Sequence, residues 1–73
     1  MMMELYKKQM IDMLRNDFVS WSDLVNFMVG RSSYVGWYTY WEGYEIGDFS
    51  LCSEDPRGDN TGEHITQSDF ESD

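Results

Sequence analysis

Apolar side chains recur at helical spacing over residues 2 to 15. At about 100° per residue, Met3, Tyr6, Met10, Met13 and Leu14 fall on one stripe. Glu4, Lys8, Gln9, Asp12 and Arg15 lie outside it, which predicts an amphipathic helix. Leu5 and Ile11 sit off the stripe, so they either make a second contact or are exposed. Asn16-Asp17 is a natural stop.

A second helix is predicted from about Trp21 to Val29. Ser20 is a good N-cap, and Asp23 three residues later makes a capping box with Asp in place of Glu. Val19 and Leu24 stand at the positions of a hydrophobic staple. Gly30 sits where a left-handed residue ends a helix, with Arg31 just beyond the negative helix end. The polar strip is narrow, only Ser22, Asp23 and Asn26. The helix is therefore buried on two sides, or half buried with a face left for a partner.

From Tyr34 to Trp41 the chain is dense in aromatic and β-branched residues, which favour a pleated surface. Glu42-Gly43 can turn the chain, and a return strand can start at Tyr44-Glu45-Ile46 and continue through Phe49 and Leu51. Trp37, Thr39 and Trp41 then share one face, with Tyr38 and Tyr40 on the other. The competing reading is a third helix capped by Ser32 or Ser33. Gly36 inside it would cost roughly 1 kcal/mol relative to Ala, and the hairpin is preferred.

After Cys52 the pattern stops. Residues 53–73 carry seven acids against Arg57 alone, and their only sizeable apolar residues are Ile65 and Phe70. Low hydrophobicity with excess charge does not offset the entropy of ordering. The expected fold is thus α+β: two N-terminal helices packed with a β-hairpin over residues 1–52, followed by a disordered acidic C-terminal tail over residues 53–73.

Charge narrows the function. The 73 residues hold five Lys or Arg and fourteen Asp or Glu, a net −9. Direct nucleic-acid binding needs clustered bases and is not expected. One cysteine, Cys52, allows neither an internal disulfide nor a Cys-rich zinc site. No apolar run nears the ~20 residues that span a bilayer, and charge interrupts the opening residues too early for a signal peptide. A small acidic protein of the cytoplasm, monomeric and without cofactor or metal, is the expectation.

No catalytic residue is assigned. Carboxylates read as solvated charge, and His64, placed in the tail, has no Cys or His partner at ligand spacing. Cys52 could be a nucleophile only beside a base, and the expected body contains no His. It reads as a free, partly buried thiol at a strand end. Arg57-Gly58-Asp59 matches a receptor-binding tripeptide, a coincidence at this length. The aromatic cluster carries more weight, because Trp and Tyr dominate interface hot spots. The partner-binding residues expected from it are Trp37, Tyr38, Tyr40, Trp41 and Tyr44, interleaved with Glu42, Glu45 and Asp48.

In length, acidic balance, Met-rich amphipathic start (Met3, Met10, Met13) and polar tail after Leu51, the chain resembles the small RNA polymerase-binding transcription regulators of Xanthomonas phages. That resemblance implies a non-enzymatic regulator in the host cell cytoplasm. It would bind bacterial RNA polymerase, interfere with sigma factor engagement to inhibit initiation, and promote antitermination. The alternative is an acidic DNA mimic that inhibits a nuclease, restriction or repair enzyme.

Overall fold

The computed structural model describes residues 2–54 and 62–72, with side chains from Lys7 onward. Among the described residues, three helices pack on a four-stranded antiparallel sheet, a small α+β fold. The order is α1 (Met2–Asp17), α2 (Trp21–Met28), β1 (Ser33–Tyr34), β2 (Trp37–Trp41), a single 3-10 turn (Ile46–Asp48), β3 (Phe49–Cys52), β4 (His64–Ile65) and α3 (Gln67–Glu71). The strands follow chain order across the sheet.

Helix α1 runs two residues past the expected stop. Met10 and Leu14 are buried, but Met13 is 39 % exposed and Ile11 packs against the core in its place. Ile11 thus makes the second contact, and the buried stripe is rotated toward it. The side chains of Met3, Leu5 and Tyr6 lie outside the described residues.

Helix α2 begins at Trp21 with the Ser20 half of the expected capping box in place. The Ser20 hydroxyl accepts from the Asp23 N–H at 3.2 Å, which satisfies one of the orphan donors of the first turn. The expected staple does not form: Leu24 is buried, but Val19 is 94 % exposed. At the other end Gly30 is left-handed (φ +86°). Arg31 donates from Nε to the Phe27 carbonyl at 2.9 Å and lays its guanidinium 4.1 Å over the Phe27 ring. Trp21, Leu24, Val25 and Met28 are buried. Phe27 instead closes a three-ring cluster with Phe18 and Tyr34, centroids 5.2–5.9 Å apart.

The hairpin forms, with two differences from the expected chain path. Val35 and Gly36 both have positive φ (+51° and +84°) and turn β1 into β2. This is the left-handed pair that a two-residue hairpin loop requires. The return strand starts later than expected: residues 42–45 are loop and 46–48 the 3-10 turn, so β3 begins at Phe49. A period of two runs through this stretch only where the ladder does, pairing Trp41 with Phe49 and Tyr38 with Cys52.

The expected disordered tail does not hold for residues 62–72. β4 pairs with β3, Leu51 opposite Ile65 and Cys52 opposite His64. Ile65 is fully buried and Phe70 is 7 % exposed, both in the one hydrophobic core. Thr66 caps α3 with a reciprocal box: its hydroxyl accepts from the Asp69 N–H, and the Asp69 carboxylate accepts from the Thr66 N–H at 3.0 Å. Two well-placed apolar side chains anchor this segment in the core, and its pairing with β3 and its bonds to Arg15 add to them. Residues 55–61, including Arg57-Gly58-Asp59, lie outside the described residues.

Candidate functional site

The two faces of the sheet separate the aromatic residues. Trp37, Phe49, Leu51 and Ile65 face the helices and are buried. Trp37 was expected at a partner surface, but with no exposure it cannot touch one in this fold. Tyr38 and Tyr40 are half-buried on the opposite face, with Ser50, Cys52 and His64.

The other expected residues gather on the β2–β3 connection. Tyr44 is fully exposed, Trp41 is 41 % exposed, Glu42 and Glu45 are exposed, and Asp48 is half-buried. Ile46, absent from the expected set, joins them at 42 % exposure. The sequence pattern places Ile46 in the return strand; the 3-10 turn takes it out of the ladder and leaves it exposed.

This connection is held from beneath. The Trp21 indole N–H donates to the Ile46 carbonyl at 3.2 Å, fixing the 3-10 turn to α2. The Asp48 carboxylate accepts from the Glu45 N–H at 3.2 Å, closing a capping box over the turn. That carboxylate lies against Gly43, where a Cβ would collide with it. Trp41 packs on Phe49 (4.9 Å between centroids), Phe49 on Trp21 (5.6 Å), and Trp21 on Phe70 (5.5 Å). The exposed Trp41 is thus the outer end of a row of rings that begins in α3.

Charge is segregated as well. Residues 32–54 contain no Lys or Arg, so Glu42, Glu45 and Asp48 have no base among their sequence neighbours. Two bases of α1 are engaged elsewhere. Lys7 lies 3.4 Å from the Asp69 carboxylate and 3.8 Å from that of Glu63. Arg15 donates to the carbonyls of Phe70 (2.8 Å) and Asp69 (3.1 Å), at the negative end of α3. Burial pushes the Asp69 carboxyl up, but the Thr66 N–H, the Lys7 ammonium and the Thr66 hydroxyl together outweigh it and hold the group below the usual carboxylate range. Asp17 lies away from this region and accepts from the Tyr34 hydroxyl at 2.8 Å. That bond, with burial and the Asp17 charge, raises the phenol above its ordinary value.

His64 is a second departure from expectation, because β4 carries it into the folded body. Its Nδ1 lies 3.4 Å from the Ser50 hydroxyl and its Nε2 3.6 Å from the Cys52 sulfur, while Tyr40 meets its ring edge-on at 5.5 Å. Cys52 therefore does have an imidazole beside it. The residue is fully buried, however, and a nucleophile must reach its substrate. The contacts tie β4 to β3. Among the described residues no three ligand side chains are grouped to hold a metal ion, and no helix is long and apolar enough to cross a membrane. No family model, curated protein or solved structure matches the chain.

Proposed function

We propose that this chain is a non-enzymatic regulator that binds bacterial RNA polymerase in the host cytoplasm. In this reading it interferes with sigma factor engagement, inhibits initiation and favours antitermination, acting as a monomer. The observation that supports a protein-docking role is the β2–β3 connection. There, Trp41, packed on Phe49, and Ile46, whose carbonyl is held by Trp21, are exposed beside the fully exposed Tyr44, in a segment that also carries Glu42, Glu45 and Asp48. Aromatic side chains fixed before binding lose little entropy when they dock, and surrounding carboxylates raise the rate of encounter with a basic surface. The choice of polymerase rests on the resemblance in length, charge and N-terminal pattern.

The test is retention of the polymerase holoenzyme from a Xanthomonas lysate on the immobilised chain at moderate salt. The expected result is retained core subunits with sigma depleted, and loss of retention in a Trp41→Ala/Tyr44→Ala variant. Undiminished retention by that variant would overturn the assignment of the surface. Failure to retain polymerase, with a nuclease or repair enzyme captured in a salt-sensitive manner instead, would move the assignment to DNA mimicry.

A further inference from the structure

The sheet leaves the backbone of Trp41 open on one side. Along an extended strand the N–H and C=O groups of successive residues point alternately to opposite sides. The Glu42 N–H donates to the Asp48 carbonyl on the β3 side at 3.1 Å, and the Thr39 N–H donates to the Ser32 carbonyl on the β1 side at 3.1 Å. Trp41 therefore points its N–H and C=O to the β1 side. No residue of β1 stands opposite it: β1 starts at Ser33, opposite Tyr38, and before Ser32 the chain turns away at the left-handed Gly30. Neither group of Trp41 has a hydrogen-bond partner among the described residues. Gly30, Arg31, Ser32 and Trp41 itself are exposed.

We propose that this open edge takes an extended segment of the partner protein, which pairs with the Trp41 backbone as an added strand and carries lysine or arginine beside Glu42. The inference rests on the reading that the β2–β3 connection docks a protein, and it specifies how the docked segment is shaped and charged.

The backbone sets the shape. An outward N–H and C=O on one strand residue match one residue of another extended chain, and an added strand satisfies both at once. Exposed edges are commonly blunted by Lys, Pro, a bulge or a covering element. Residues 32–54 contain no Lys, Arg or Pro. What stands at this edge is the Trp41 ring, packed on Phe49 and 41 % exposed. A residue paired with Trp41 puts its side chain on the same face as the indole, where cross-strand contact adds to the main-chain bonds.

Charge chooses the occupant. The first 36 residues balance four acids with four bases, so the net −9 falls on residues 37–73. Glu42, next along the chain from Trp41, is exposed, as is Glu45. Arg31, whose carbonyl accepts from the Thr39 hydroxyl at 3.4 Å, has its guanidinium engaged with the Phe27 carbonyl and ring. A second copy of this chain would bring the same carboxylates to the edge, and like charges on paired strands are destabilising. A basic segment meets attraction instead.

The test uses the full chain labelled with ¹⁵N and the peptide acetyl-Lys-Val-Thr-Val-Thr-Val-Lys-amide. In the free chain the Trp41 amide should exchange with solvent readily, in contrast to the laddered Tyr40 amide. The peptide is expected to shift the Trp41 amide resonance and slow its exchange about tenfold or more. The same peptide methylated at its internal backbone nitrogens should leave both unchanged, because its side chains remain while its donors are gone. A peptide with Glu in place of both Lys should bind about tenfold more weakly or worse. Equal binding by the methylated peptide, equal binding by the acidic peptide, or no response to the first at about millimolar concentration would each overturn the proposal. A Trp41 amide already protected in the free chain would overturn it too, and a dimer mass in sedimentation would then name a second copy as the occupant. Excess peptide is also expected to displace polymerase from the immobilised chain. If polymerase stays bound while Trp41→Ala/Tyr44→Ala loses it, the docking surface stands and the added strand falls. If polymerase is not retained at all, the docking reading falls, and the peptide titration still decides the edge by itself.

Discussion

Phe70→Ala separates a folded C-terminal segment from a solvated one. Phe70 is 7 % exposed and packs 5.5 Å from Trp21, in the same core as Leu14, Trp21 and Ile65. Truncating a buried Phe typically costs about 3–5 kcal/mol, from lost transfer free energy and the cavity left behind. Helix α3 has only five residues and can shift to fill part of the space. The lower end, about 3 kcal/mol, is therefore expected. Native domains are stable by roughly 0.05–0.15 kcal/mol per residue, so this loss is a large share of what a 73-residue chain holds. With about 4–8 °C lost per kcal/mol in a domain of this size, the thermal midpoint should fall by ~12–24 °C. Urea unfolding followed by tryptophan emission is the direct assay, because Trp21 touches the deleted ring. If the segment had no place in the fold, the substitution would be silent. A change below about 0.5 kcal/mol, the range of an ordinary surface substitution, would refute the docking of α3.

Other predictions concern the ends of elements. Val35 is 54 % exposed and holds φ +51°, a conformation that costs a β-branched residue about 1–2 kcal/mol. Val35→Asn should thus stabilise the chain by about 1 kcal/mol in urea, and a loss would mean the turn is of another type. Ser20→Ala removes the cap of α2 and should cost about 1 kcal/mol in the same assay, whereas an unchanged midpoint would displace the helix start. Asp69 is held below its ordinary value in the fold. Its contribution is then present above the unfolded pKa of about 3.9 and lost as pH falls through the folded value. The stability gap between the native chain and Asp69→Asn should be steady down to about pH 4 and shrink below it. A gap that stays constant through the acid limb would remove Asp69 from the linkage.

What the sequence made legible was local. The cap of α2 and its left-handed terminus at Gly30 each depend on residues within a few positions, and both are realised. What it hid was nonlocal. Averaged over residues 53–73, composition argues for solvation, yet Ile65-Thr66-Gln67-Ser68-Asp69-Phe70 repeats the grammar of Val19-Ser20-Trp21-Ser22-Asp23-Leu24. Of the two, it is the C-terminal copy that buries both apolar positions, because β3 and α1 offer surface there, while Val19 meets only water. The same nonlocal pairing brought His64 beside Cys52 and withdrew Trp37 from any partner. It also changes what the C-terminal segment is for. Through Phe70, Trp21 and Phe49 the segment supports the ring at Trp41. Cutting the chain after Cys52 would remove that support. Weakened binding in such a truncation would therefore arise from a dismantled site, and it could not be assigned to the loss of an acidic tether.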